Sequence, residues 1–178
     1  MNNISYSCRN NMQRKSLIIT VDIDEEHQQF FNQMRKQHFP AHANYLDAHI
    51  TLFYKLPSDE GAIHEALKRF AAREPIALTV EGLVNFGTGV AYTIISDELA
   101  QLHTDMQVAF DAWLIRQDRK PFRPHITIQN KVTAFKAQQL HTQLQKDFQP
   151  FVVMATGIRT WQYLGGPWKE IEGIAFSY

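Results

Sequence analysis

The chain has a single cysteine, Cys8, and no surplus of charge: 18 lysines and arginines stand against 18 aspartates and glutamates. One thiol rules out an internal disulfide framework and fits a reducing, cytoplasmic setting. Charge balance rules out the broad positive field with which bulk nucleic-acid binders neutralise phosphates, so a nucleic-acid substrate must be small or be met by a local cleft. No apolar run approaches the ~20 residues that span a bilayer. The first apolar segment, residues 16–21, is too short for a signal-peptide core and runs into acidic residues, so no membrane partner is expected. Residues 1–14, rich in Asn, Ser and Arg, read as a flexible tail. That leaves residues 15–178 as one bilobal domain, and twelve phenylalanines with 44% hydrophobic content suffice for a core without outside staples. A monomer is the expected state.

What the chain does have is a repeated tripeptide, His49-Ile50-Thr51 before Leu52 and His125-Ile126-Thr127 before Ile128. Side chains alternate faces along a strand, so each copy presents an imidazole and a hydroxyl on one face and two aliphatic anchors on the other. With eight histidines in the chain, one His-x-Thr is unsurprising. Two copies with aliphatic residues at both flanking positions have a chance expectation of roughly one in a hundred. The histidines lie 76 residues apart, which is the length of a duplicated structural unit and too long for a solenoid period.

The hydrophobic pattern supports that duplication. Residues 16–22 read as a buried strand ending at Asp22-Ile23-Asp24, where an aspartate can cap the next helix and Glu25 and Glu26 favour its positive end, and that helix stops before Pro40. The first histidine strand is placed over about residues 46–54, and a helix over 59–73 places Ala62, Ile63, Ala66, Leu67 and Phe70 on one stripe. Strands at 76–86 and 89–95 join through Gly87-Thr88-Gly89. A long helix over 97–116, the second histidine strand over 123–131, a helix capped by Thr133, and a hairpin over 151–177 turning at Gly165-Gly166-Pro167 complete the chain. The order strand, helix, His-x-Thr strand, helix, strand thus occurs twice. The expected class is α+β: a bilobal, pseudo-twofold duplicated unit with antiparallel sheets lining a central groove and helices on the outer faces.

Two imidazoles with ordinary pKa values near 6.5 suit a reaction that removes one proton and delivers another at neutral pH. Phosphodiester cleavage is such a reaction, and hydroxyls on the same faces can donate to the non-bridging oxygens. Arg123 and Lys131 differ from 125 by even numbers, so the strand pattern places both, with Gln129 between them, on the face of His125.

The paired motifs, together with Phe122-Arg123-Pro124-His125 and the terminal run from Trp161 through Gly165-Gly166-Pro167 to Trp168, resemble the two-histidine (2H) phosphoesterase superfamily, of the 2′-5′ RNA ligase and cyclic phosphodiesterase type. The resemblance extends from about residue 16 to the end. It implies a groove between two lobes, metal-independent hydrolysis of 2′,3′-cyclic phosphates and, in some members, joining of RNA through a 2′-5′ bond. By motif position His49 and His125 are the acid and base, and Thr51 and Thr127 the phosphate donors. Relatives often carry an arginine five positions after the second histidine; here that position is Asn130, so the basic contact falls to Lys131 or Arg123.

Tyr163 is assigned to the substrate at the groove mouth, whereas Trp161 and Trp168 read as core and turn residues with base stacking as their alternative. His38 and His42 have a helix-like interval that can hold zinc, but Pro40 lies between them and no third ligand accompanies them. No metal and no cofactor are expected. The leading function is a phosphodiesterase on 2′,3′-cyclic phosphate or 2′-5′-linked RNA or nucleotides, its partner a nucleotide or an RNA 3′-end; the alternative is a nucleotide-binding module with the same groove and little turnover.

Overall fold

The computed structural model describes residues 16–177; the tail expected at 1–14, with Cys8, lies outside the described residues. The duplicated order is present. The first unit runs β1 (Ser16–Ile23), α1 (Glu25–His38), β2 (Ile50–Pro57), α2 (Gly61–Ala71) and β3 (Ile76–Asn85). The second runs β4 (Val90–Ile95), α3 (Asp97–Ala109), β5 (His125–Gln129), α4 (Ala134–Gln145) and β6 (Phe151–Tyr163), and β7 (Trp168–Ala175) closes the chain.

All pairings are antiparallel, and the main strand path is β2-β1-β6-β3-β4-β5. Exchanging the two units (β1 for β4, β2 for β5, β3 for β6) reproduces that path in reverse, so the sheet itself is pseudo-twofold. Each unit's third strand has crossed into the other unit's lobe: β3 pairs β4, and β6 pairs β1. The long strand β6 joins the lobes, because its first residues, Phe151 to Ala155, pair β3 and its later residues, Gly157 to Tyr163, pair β7. The sequence pattern implied sheets in the plural; the structure joins them through β6 into one hydrogen-bonded sheet that is not closed.

The sequence places the helix starts accurately because the caps are polar side chains with a definite task. Asp24, Ser96 and Thr133 accept hydrogen bonds from the backbone N–H of His27, Leu99 and Lys136. Several elements are shorter than the sequence pattern, α2 (Gly61–Ala71) and β5 (His125–Gln129) among them, and two further boundaries differ. The helix expected to reach 116 ends at Ala109, where Phe110 leaves helical geometry and buries its ring in the core, and only a single 3₁₀ turn, Asp111–Trp113, follows. The first histidine strand starts at Ile50, which leaves His49 on the last residue of the preceding loop.

Strand β2 carries register shifts against β1, and the irregular stretch frees the N–H groups of Tyr54 and Lys55. The buried carboxylate of Asp118 accepts both, at 2.8 and 3.2 Å. The loop that leads into His125 is thereby fastened to the strand that carries Thr51. On the other side of the sheet a bulge separates the Val90–Gln129 pair from the Ala91–Thr127 pair. Gly89 faces this bulge: a Cβ there would lie 1.9 Å from the Gln129 carbonyl oxygen. Because that obstacle is backbone, Gly89→Ala is expected to lower stability by about 1–3 kcal/mol, the usual cost of overpacking. Urea denaturation monitored by circular dichroism checks this; an unchanged midpoint would mean the bulge is free to move.

Candidate active site

Alternation holds through both motifs. Ile50, Leu52, Ile126 and Ile128 are buried, while His49, Thr51 and Thr127 are half-buried and His125 is exposed. Strands β2 and β5 are the two ends of the strand path, yet they approach one another, because the two lobes curl toward a common groove.

The two imidazoles are held in the same way. Nδ1–H of His49 donates to the carbonyl of Asp47 at 2.7 Å, and Nδ1–H of His125 donates to the carbonyl of Arg123 at 2.9 Å. A carbonyl only accepts, so each bond fixes the proton on Nδ1 and leaves Nε2 as the nitrogen that exchanges protons. The rings also sense each other. His49 is pushed down to about 4, first by desolvation and then by the positive charges of Arg35 and His125, against the bond to the Asp47 carbonyl, which favours its protonation. At neutral pH His49 is therefore an uncharged imidazole with a bare Nε2.

Arg35, on the buried stripe of α1, links the two motifs. Its Nε donates to Asn44 Oδ1 and to the Leu46 carbonyl, and its Nη1 donates to the Thr127 carbonyl at 2.7 Å. Burial lowers its own pKa, and Asp47 opposes that effect. The counterpart on α3 is His103. Buried between the rings of Phe53 and Phe122, at centroid distances of 4.8 and 4.1 Å, it donates Nε2–H to the Leu52 carbonyl at 3.2 Å.

Three cavities surround the motifs. One, of about 370 Å³, opens beside His49 and is lined by Asp22, Asp47, Arg159, Trp161, Trp168 and Glu170 among others. A second, of about 620 Å³, is lined by His125, Thr127, Arg123, Asn130 and the rings of Phe86 and Phe122. A third, smaller one brings Thr51 and His125 onto one wall with Tyr54, Lys120 and Arg123. Thus Thr51, Arg123 and His125 share one cavity, Arg123, His125 and Thr127 share another, and His49 lines the third, close enough to His125 for their charges to interact.

Two predicted residues stand apart. The bulge near Gln129 ends the alternation, β5 stops there, and Lys131 follows in left-handed backbone with its ammonium 5.8 Å above the Tyr45 ring. The shared face inferred for Arg123, Gln129 and Lys131 therefore reaches only to Thr127, and Gln129 is buried. Asn130 is used locally, accepting from the backbone N–H of Lys131 and the hydroxyl of Thr88. Tyr163 is exposed at the end of β6 and lines none of the three cavities. Asp47, Tyr54 and Lys120 were not singled out from the sequence. Arg35 had a signal: it lies four residues after the buried Phe31, a cation on an apolar stripe. No group of three or more His, Cys, Asp or Glu is gathered as a metal set among the described residues, and no helix among them is long and apolar enough to cross a membrane.

A duplicated α+β unit that sets one His-x-Thr from each half on a common groove defines a two-histidine phosphoesterase class of protein. The family model of the 2'-5' RNA ligase superfamily matches residues 23–167, and the chain belongs to that superfamily. Among solved structures it is similar to TT0787 of Thermus thermophilus, with a TM-score of 0.63 at 17% identity over 90% of this chain and 97% of that one. It is also similar to E. coli LigT complexed with 3'-AMP, with a TM-score of 0.56 at 17% identity over 92% and 99% of the two chains. A structure described as a phosphoesterase has the same TM-score, 0.56, at 17% identity, covering 93% of this chain and 100% of its own. No curated protein matches the sequence.

The suppressed basicity of His49 has a consequence for stability. The unfolded chain protonates this residue near its ordinary 6.5, the folded chain only near 4. Between those values the unfolded state binds more protons, so stability falls as pH falls, by up to about 1.4 kcal/mol per pH unit, and above 6.5 the residue has no effect. In His49→Asn, whose side-chain amide can keep the bond to the Asp47 carbonyl, urea midpoints at pH 7, 6, 5 and 4 are expected to fall less steeply than in the wild type.

Proposed function

We propose that this chain is a metal-independent phosphodiesterase that acts on 2′,3′-cyclic phosphate or 2′-5′-linked RNA or nucleotides by two-histidine general acid/base catalysis. The observation that carries this reading is the matched anchoring of the two imidazoles: each spends its Nδ1–H on a carbonyl two residues before it, which leaves Nε2 as the nitrogen free to exchange protons. Structures of a relative in the same fold, E. coli LigT, were determined with 3'-AMP and with ATP, which supports a nucleotide as the ligand class.

His49, neutral in the resting protein, accepts the proton of the attacking hydroxyl or water. His125, exposed on the opposite motif, delivers a proton to the leaving oxygen. Thr51 and Thr127 donate to the non-bridging oxygens as charge shifts onto them. Arg123 lines two of the three cavities and supplies the fixed positive charge at the phosphate. Lys131 and Tyr163, more distant, make contact only with a substrate that extends beyond the scissile phosphate. Joining of RNA ends through a 2′-5′ bond is the reverse of the same transfer and needs no further residue.

Three outcomes are expected. His49→Ala and His125→Ala each lower kcat by at least ~10²-fold, the ordinary scale for loss of a general acid or base; full activity in both variants would end the assignment. Chelator-treated protein retains its rate, because the proton transfers belong to imidazoles. The acid limb of kcat/KM against pH falls near 4 rather than near 6.5, since that limb reports the free protein's base and His49 is the group held low.

A further inference from the structure

The two motifs are near copies, but the surroundings of the two histidines are chemically unlike. Beside His49 the ring of Trp168 lies 4.9 Å away between centroids, tilted by 49°. Trp161 stands behind it at 6.2 Å, fixed by donating its indole N–H to Thr20 Oγ1 at 2.9 Å and by the Arg159 guanidinium over its ring. The cavity these rings border, about 370 Å³, falls within the ~300–1,000 Å³ range of small-ligand sites.

Its charges do not suit a phosphate. Asp22, Asp47 and Glu170 line it with one guanidinium, that of Arg159, which already donates two hydrogen bonds to Asp22 and one to Glu170, while the charge of Asp47 acts on Arg35. The Asp47 carboxylate accepts no hydrogen bond among the described residues and is exposed. On the His125 side the balance is reversed. Lys120 and Arg123 line the smaller cavity, and its one carboxylate, Asp118, is spent on two backbone N–H groups. Phosphate oxygens are favoured there. Beside His49 a flat, hydrogen-bond-donating group is favoured instead.

We propose that the Trp168 cavity is a nucleobase subsite, in which the base stacks on Trp168 and an amino-bearing edge donates to Asp47, so that adenine, cytosine and guanine are preferred over uracil. The proposal rests on reading the groove as a nucleotide phosphodiester site and names the selectivity of that site. Every base has a face that can stack, so the indole supplies affinity without discrimination. Discrimination comes from the carboxylate, which pairs with an exocyclic amine and repels the two carbonyl oxygens of uracil.

Calorimetric titration with adenosine, cytidine, guanosine and uridine 3′-monophosphates tests it without requiring turnover. The uridine nucleotide is expected to bind about fivefold or more weakly than the other three. Asp47→Asn, a change at an exposed position, is expected to close that gap. Trp168→Ala is expected to weaken all four by about tenfold or more, with Trp168→Phe within about threefold of wild type because a ring remains to stack on. Equal affinity for all four in the wild type, no measurable binding of any, or a Trp168→Ala variant that binds as the wild type does would overturn the proposal. Base-selective binding without hydrolysis of any diester would instead overturn the catalytic reading and leave the subsite standing.

Discussion

A buried cation ties together the two motifs that line the groove. Strands β2 and β5 occupy opposite ends of the strand path, and backbone pairing alone does not bring their motifs together. Arg35 does so: its guanidinium reaches the Leu46 carbonyl ahead of His49 and the Thr127 carbonyl of the second motif. Burying a guanidinium among neutral acceptors is costly, and that burial lowers the pKa of Arg35. Asp47 offsets part of it and at the same time lends its own carbonyl to His49. The residue that orients the imidazole is thus also the one that helps keep the bridging charge in place, so removing either partner disturbs both.

The same charge separates two histidines that the sequence presents as equals. His49 lies close to Arg35, is half-buried, and loses its affinity for a second proton; His125 stands exposed on the opposite strand. The difference between the two histidines therefore comes from packing rather than from the motif. A duplication produces two identical tripeptides, and different helices behind them, one bringing an arginine and the other a histidine sandwiched between phenylalanines, make their chemistry unlike.

The features legible in the sequence are those set by short-range physics. Period-two alternation put Ile50, Leu52, Ile126 and Ile128 inside and left the histidines and threonines less buried, and the capping side chain Thr133 marked a helix start to the residue. Order along the chain also identified the duplicated unit. The misplaced features depend on events between strands. Alternation was extended past Gln129 to Lys131, but the bulge opposite Gly89 resets the faces, and no residue type in 123–131 announces it. Trp168 read as a turn residue because it follows Gly165-Gly166-Pro167; its place beside His49 is fixed by the pairing of β7 with β6, a long-range fact absent from the local pattern. Asp118 and Arg35 act across 64 and 92 residues of chain respectively, and windowed reasoning has no access to such partners.

Strand exchange and helix contacts together explain why the site is shared rather than doubled. Each unit gives its third strand to the other lobe, β3 to β4 and β6 to β1. Each unit also sends a helix side chain onto the other unit's motif, Arg35 from α1 onto Thr127 and His103 from α3 onto Leu52. A half isolated from its partner would expose strand edges and leave a buried-type arginine or histidine without its acceptor, and both conditions are unfavourable in water-poor packing. The interlock therefore makes cooperative folding of both halves a condition for bringing the imidazoles together. The two motifs approach one another in this molecule for the same reason that neither half is complete alone.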